Sequence, residues 1–466
     1  MDDGDLLNAA PLQRRLHVRD FFGLAFGAII GVGWLIMVGD WLRTAGPLGA
    51  IAGFALAGGV MMIIGLCYAE LATMIPDAGG ESAYARRLFG PGAQFALGWF
   101  LAMGYIAIAS FEAISVGWVA ATLMPGVLEG VLFTAFGAPV TIGAVAYALA
   151  GSIVFTWLNY RNAGTAVRAQ NLMAYTLVGI AAVLLATALW RGSASNLEPW
   201  LAAPAAGLGA WSGIAAVAIS APFWFGGFNM IPQLLEEAAP GESLLLVGRV
   251  IILSIASALV FYIVVIGASA LLVPWPTLGD AELAVASAFA RAFHTRLLRD
   301  LVLGAALIGL LSTWNAYLMA ASRLLFSLGR AGLLPAVFSR THPRYGTPAS
   351  SVLFVGVISM AGALAGREGL SPIVNAVSVS LGLAYLVTSV GVVKLRIVAP
   401  QQVRPYAIPG GLATAGAGVI GSALFLSMAV YQPYAAHPGT VPLEWWILGA
   451  WLISAAAVWM FRRGRG

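Results

Sequence analysis

Apolar runs of about 20 residues recur along the whole chain, separated by short polar stretches. That repeat predicts twelve membrane-crossing helices, spans 1 to 12, over residues 20–44, 48–74, 92–123, 138–159, 165–190, 211–238, 247–273, 299–329, 349–365, 371–396, 411–431 and 443–461. A β-barrel would instead show short strands with alternating apolar and polar positions. The fold class expected is all-α and polytopic.

Two spans break the pattern where a helix should be strongest. Span 1 carries Gly27, Gly31 and Gly33 in its middle. Gly31 lies about 12 residues beyond Arg19, roughly 18 Å along a helix and so near mid-membrane. Span 6 is interrupted at Gly226 and Gly227, with Pro222 and Pro232 on either side. Matched breaks in helices of opposite direction predict an inverted repeat: helices 1–5 over 20–190 and helices 6–10 over 211–396. Helices 11 and 12 follow over 411–461, and residues 1–19 form an N-terminal tail. Small residues such as Gly27 and Gly31 also serve close helix packing, which is the competing reading of span 1 alone. Two connections look structured: 76–88, and an amphipathic segment over 279–296 with Leu283, Ala286, Phe289, Ala290 and Phe293 at helical spacing.

Composition agrees with the bilayer. The 466 residues are 60% hydrophobic and 9% charged, with a mean hydropathy of +0.90. The net charge of +5 does not indicate nucleic acid, because its distribution follows topology. With the N-terminus cytoplasmic, only Arg43, Arg191, Arg291, Arg296, Arg299 and Arg367 of the 24 basic residues fall on the outer side. Both termini are therefore expected inside, in a plasma membrane of the bacterial inner-membrane kind, with the first span serving as the insertion signal. The single cysteine, Cys67, excludes an intrachain disulfide and a multi-cysteine metal site. His17, His294, His342 and His437 fall in loops or tails, which leaves no buried histidine relay. No nucleotide-binding G-x-x-x-x-G-K-[ST] loop and no cluster of catalytic residue types occurs, so neither ATP-driven transport nor an enzyme is expected.

Unwinding a helix in mid-membrane frees backbone groups that lipid cannot satisfy, at several kcal/mol each. The N–H groups at Gly33–Trp34 suit a carboxylate, and freed carbonyls of spans 1 and 6 suit an ammonium or a cation. Together they make a receptor for an α-amino acid.

Four stretches in order carry a family likeness. They are Gly27, Gly31 and Gly33 of span 1; Tyr68, Glu70 and Leu71 followed by Pro76, Gly79, Gly80, Glu81 and Tyr84; Phe225-Gly226-Gly227-Phe228-Asn229 with Glu236, Glu237 and Pro240; and Ser322-Arg323 running to Gly329, Arg330, Gly332 and Pro335. The chain resembles the amino acid–polyamine–organocation superfamily of secondary transporters over nearly its whole length. The resemblance implies two discontinuous helices, a substrate site between them, and alternating access. Three residues depart from the family pattern: Val32 replaces a loop serine, Asn229 replaces an acidic residue, and Leu177 stands where some proton-coupled relatives carry a lysine.

Candidate substrate-binding residues are Ile30, Gly31, Val32, Gly33, Trp34, Phe223, Trp224, Phe225, Gly226, Gly227 and Trp314. Phe223 and Trp314 resemble gating aromatics of the family. Glu112, deep in span 3, is the group best placed to hold a proton or pair with a substrate amine. Asp40, Glu70 and Asn229 are further candidates for gating or proton coupling. Gly27, Ile30, Ser312 and Thr313 are the residues that could hold sodium, although hydroxyls commonly bond back to their own helix. No cofactor is expected, only a proton or sodium gradient. The leading function is a permease for neutral or apolar amino acids; the alternative is a transporter or exchanger of amines, polyamines or cationic amino acids. The expected partners are the small-molecule substrate and the lipid bilayer, with a monomer or homodimer as the assembly.

Overall fold

A chain crossing lipid must satisfy its backbone groups within itself, and apolar runs of this length do so as helices. The computed structural model describes residues 12–124, 126–161, 163–203, 209, 211–281, 283–436 and 439–463. Most of the expected N-terminal tail (residues 1–11), His437 and Arg465 lie outside the described residues. Among the described residues, 11 helices are long and apolar enough to cross a membrane. Spans 3, 4, 5 and 7 are Pro91–Leu123, Ile142–Arg161, Ala163–Arg191 and Leu244–Leu272. Spans 8, 10, 11 and 12 are Arg296–Arg330, Leu370–Val398, Leu412–Ala436 and Leu443–Arg463. The helix at span 9, Ala349–Gly362 with a 3-10 turn Ala363–Ala365, is shorter and is not among the 11.

Both expected breaks are present. Span 1 is helical over Val18–Ile29, loses the pattern at Ile30–Val32, and resumes at Gly33–Ile36. It then runs into the helix Val38–Met74, which contains the non-helical Gly46 (φ 72, ψ 175) ahead of Pro47. Gly46 is therefore the corner between spans 1 and 2, and a Cβ there would stand 2.6 Å from the Ala202 nitrogen. Span 6 is helical over Trp211–Ser220, tightens to a 3-10 turn over Ala221–Phe225, and resumes at Met230–Leu234. The two broken spans run antiparallel. Leu16 pairs with Ala238 at one end, and Gly213 packs on the Thr44 carbonyl at the other.

The connections follow from local sequence. The 76–88 stretch forms the helix Glu81–Phe89, tucked under span 6 with Gly80 against Pro232. The segment after span 7 forms the amphipathic helix Ala284–Phe293. One expectation fails: residues 138–141 do not begin span 4. They are a strand, Ala138–Thr141, paired antiparallel with Val131–Ala135. Phe136 and Gly137 both have positive φ (48° and 84°), the backbone of a tight hairpin turn, and the exposed apolar side chains of 131–133 hid it within an apolar run.

The end holding residues 12–20 is laced by charge. Arg323 reaches Glu237 at 2.7 Å, both buried, and Arg330 holds Glu236 at 2.6 Å and Asp77 at 3.0 Å. Glu70, fully buried, accepts from Arg396, from Arg404 at 3.1 Å and from the Ile408 N–H at 2.9 Å. We call this the arginine-rich end. Breaking a buried pair leaves a charge uncompensated, so Arg323→Met should destabilise the protein by about 3–5 kcal/mol. The double variant Arg323→Met/Glu237→Met should recover most of that loss, as read by thermal unfolding in detergent.

Candidate functional site

The two breaks meet at the centre of the bundle. Gly227 sits at φ 136, where a side chain is strained, and its missing Cβ would lie 2.6 Å from the Ile29 nitrogen. Backbone of span 6 thus touches backbone of span 1. Gly33 lies flat against the ring of Trp224, with a Cβ there only 2.2 Å from the ring.

Around this contact is a cavity of about 40 Å³. Span 1 contributes Ala28, Ile29, Gly31 and Val32; span 6 contributes Phe223, Trp224 and Gly226. Span 3 adds Ile108, Phe111 and Glu112, span 8 adds Thr313 and Tyr317, and span 10 adds Leu381. Its volume is close to one water molecule's share of the liquid, ~30 Å³, so admitting a larger solute requires the helices to move.

The polar groups of the breaks have definite partners. Tyr262 of span 7 donates its hydroxyl to the Trp224 carbonyl (3.1 Å) and reaches the Ile29 carbonyl (3.4 Å), joining the two interruptions. The Gly227 N–H donates to Asn229 Oδ1 at 3.0 Å, and Asn229 Nδ2 donates to the Tyr105 hydroxyl at 2.8 Å. On span 1, no described residue accepts the backbone N–H of Val32, Gly33 or Trp34. Glu112 is buried, and its Oε2 has no partner among the described residues. A Cβ on Gly31 would stand 3.1 Å from Glu112 Oε1, so this carboxyl faces the unwound segment.

The structure thus brings Gly31, Val32, Phe223, Trp224, Gly226, Glu112 and Thr313 to one cavity. Ile30 lies just behind it, its carbonyl against Gly309 of span 8, and Gly227 is packed under Ile29. Five candidates point elsewhere. Trp314 turns toward spans 4 and 9, stacking near Phe155 and donating to Ser359 at 3.3 Å. Thr313 and Tyr317, four residues apart, hold the cavity-facing side of span 8, which leaves Trp314 about 100° round the helix. Trp34 packs edge-on to Phe261, and Phe225 turns to Phe54 and Tyr262. Asp40 pairs with Arg43 at the opposite end of the molecule, where Arg43 also nears Asp280. Glu70, in the clasp described above, is remote from the cavity.

The candidate sodium ligands are engaged within the protein: Thr313 Oγ1 donates to the Gly27 carbonyl (3.1 Å), and Gln170 Nε2 donates to Ser312 Oγ (2.8 Å). Leu177 sits beside Gly309, near the Ile30 and Gly31 carbonyls. Sequence reasoning missed Tyr262, Tyr317, Ile108, Phe111 and Leu381. Ile108 and Phe111 lie four and one residues before Glu112, on its helix face or next to it, and that spacing was a usable signal. Leu381 offered none.

Residues 16–455 match the amino acid permease family. A branched-chain amino acid permease of Bacillus subtilis is 27% identical over 86% of this chain and 84% of its own length. The human large neutral amino acids transporter small subunit 2 is 28% identical, covering 85% of this chain and 72% of its own. A lysine-specific permease of Lactococcus lactis is 26% identical, over 82% and 75%.

A Cβ at position 227 meets backbone, which cannot step aside. Gly227→Ala should therefore abolish uptake and destabilise by about 2–4 kcal/mol, from overpacking and strained φ together. Gly304→Ala, facing open space, should leave both unchanged.

Proposed function

The chain belongs to the amino acid permease family, and from that premise we propose that it is a secondary active transporter of neutral, apolar amino acids working by alternating access. The observation that carries this is the meeting of two unlike surfaces at one cavity. One is the unwound backbone of span 1, with the N–H groups of Val32, Gly33 and Trp34 uncommitted. The other is a lining of Ile108, Phe111, Phe223, Trp224 and Leu381. The first suits an α-carboxylate, the second an apolar side chain. The similarity to branched-chain and large-neutral permeases is in keeping with this substrate class.

On this reading residues 20–190 and 211–396 are two inverted repeats, and access alternates as one helix bundle moves against the other. Both termini face the cytoplasm of a bacterial inner membrane, as the distribution of arginine argues. The driving ion is a proton. Ser312 and Thr313, the hydroxyls that would serve sodium, already have partners, while the protein holds acidic groups in its interior.

One observation favours a second reading. Glu112 is the one carboxyl lining the cavity among the described residues, and an ionised Glu112 would receive an amine or a cationic amino acid. The similarity to a lysine permease is in keeping with that alternative. A thermal-shift screen of the purified protein separates the two, since a ligand of the folded state raises its stability. Leucine, isoleucine or valine should raise the melting temperature, and Glu112→Gln should keep that response. A response to lysine or to simple amines alone, lost in Glu112→Gln, would establish the second reading and overturn the first.

A further inference from the structure

Between the cavity and the arginine-rich end lies a second buried carboxyl that the substrate site does not use. Glu81 is fully buried at the start of the helix Glu81–Phe89. Its Oε2 accepts from Gln233 Nε2 at 2.6 Å; its Oε1 accepts from the Tyr68 hydroxyl at 3.0 Å and the Tyr105 hydroxyl at 3.4 Å. Span 2, span 3 and the lower half of span 6 are thereby fastened to one side chain. The connection continues upward: Tyr105 accepts from Asn229, which accepts from the Gly227 N–H at the break. Tyr105 also packs edge-on against Tyr317 of the cavity wall. Downward, Ala83, Arg86 and Arg87 of the same helix line a vestibule of about 450 Å³, together with Asp77 and Arg330.

Resting on the transport reading above, we propose that Glu81 is a proton-binding site of the transport cycle. Its ionised form fastens the arginine-rich end of the pathway shut, and its neutral form releases the lower half of span 6. The chemistry of the donors sets the direction. A carboxylate only accepts, and it accepts here from three elements at once. A protonated acid must donate through one oxygen. Gln233 Oε1, buried and without a partner among the described residues, is the acceptor that a reversed Gln233 amide would present. The proton then resides on Glu81 Oε2, and the tyrosine hydroxyls lose their charged acceptor. Hydrogen bonds to a charged group are roughly twice as strong as neutral ones, so the neutral clasp is the weaker.

The groups facing Glu81 are Tyr84 from its own helix, Tyr68 from span 2, Tyr105 from span 3, Tyr317 from span 8 and Tyr385 from span 10, with Asn229 and Gln233 from span 6. None of these is a cation. Burial without a counter-charge pushes the Glu81 carboxyl up from 4.5 to about 7. Glu81 is therefore protonated below that pH and ionised above it, so the end should open more readily as pH falls through 7.

The test uses the full chain in inside-out vesicles, with Cys67→Ser and a reporter Leu381→Cys in the cavity wall. Labelling by a membrane-impermeant thiosulfonate is timed from pH 5.5 to 8.5 with and without Glu81→Gln. Taking the ratio of the two rates cancels the thiol's own titration. The ratio should be near one at acid pH and climb to about tenfold above pH 8, the effect of one charge-assisted hydrogen bond lost. A ratio that stays flat across the range overturns the proposal. Should the Gln variant not fold, Tyr68→Phe removes one donor to the ionised form and must move the labelling midpoint to higher pH; an unmoved midpoint overturns it equally. Labelling needs no substrate, so its outcome is independent of the thermal-shift screen that tests the transport reading itself.

Discussion

Everything at the centre of this protein depends on how two helices can be broken in a bilayer without leaving their peptide groups unpaired. The largest part of the solution is one hydroxyl. Tyr262 has two carbonyls within reach, Trp224 of span 6 and Ile29 of span 1, and so joins the interruptions to each other and to span 7. Its ring is held in turn by Trp41, Phe54 and Phe225. Asn229 serves the Gly227 N–H in the same way. Among the donors that find no acceptor in the described residues are those of Val32, Gly33 and Trp34, and Val32 lines the cavity. On the reading proposed, this cluster of free donors on span 1 is where a solute carboxylate is received.

The two ends of the pathway are held by different physics. At the arginine-rich end, one buried ion pair and one partly exposed pair join span 6 to span 8, and Arg330 adds the 76–88 connection. Such pairs depend on geometry and fail abruptly when one partner withdraws. At the opposite end the seal is mainly close backbone packing, with Gly213 on Thr44 and Gly39 on the Leu278 carbonyl, and a solvent-exposed Asp40–Arg43 pair contributes little. On the alternating-access reading the two ends would therefore open by unlike means, one by breaking charge contacts and the other by separating packed surfaces.

The breaks were legible in the sequence because glycine and proline weaken a helix, and they gather in the middle of these two apolar runs. The breaks stand at Gly31 and at Gly226–Gly227, and Glu112, deep in span 3, faces the first of them. Helix rotation was not legible. Trp34, Phe225 and Trp314 were chosen as large aromatics near a break, yet each turns its ring into a neighbouring span. An amphipathic helix in water shows its buried face by polarity, but a helix apolar all round hides it. Span 8 shows the cost: Trp314 turns away, while Tyr317, three residues on, lines the cavity. Tyr262 left no trace, since a tyrosine in span 7 gains its role only from carbonyls supplied by spans 1 and 6. The second strand of the hairpin, Ala138–Thr141, falls within the expected span 4 because it continues an apolar run.

Val32 bears on what the site can discriminate. On the reading proposed, with no hydroxyl in the loop, recognition of a carboxylate rests on peptide N–H groups, which every α-amino acid satisfies alike. Selectivity has then to come from the opposite wall. Ile108, Phe111, Phe223, Trp224 and Leu381 discriminate by size and apolar contact, and a missing or extra methylene in such a wall is worth only about 1–3 kcal/mol. Discrimination by charge is steeper, because an unpaired charge beside these residues is costly, and among the described residues Glu112 is the one carboxyl of the cavity that could offset it. On the reading proposed, a permease built this way would accept a range of apolar side chains of similar volume. On that reading its sharpest choice, between a neutral and a cationic substrate, falls on Glu112.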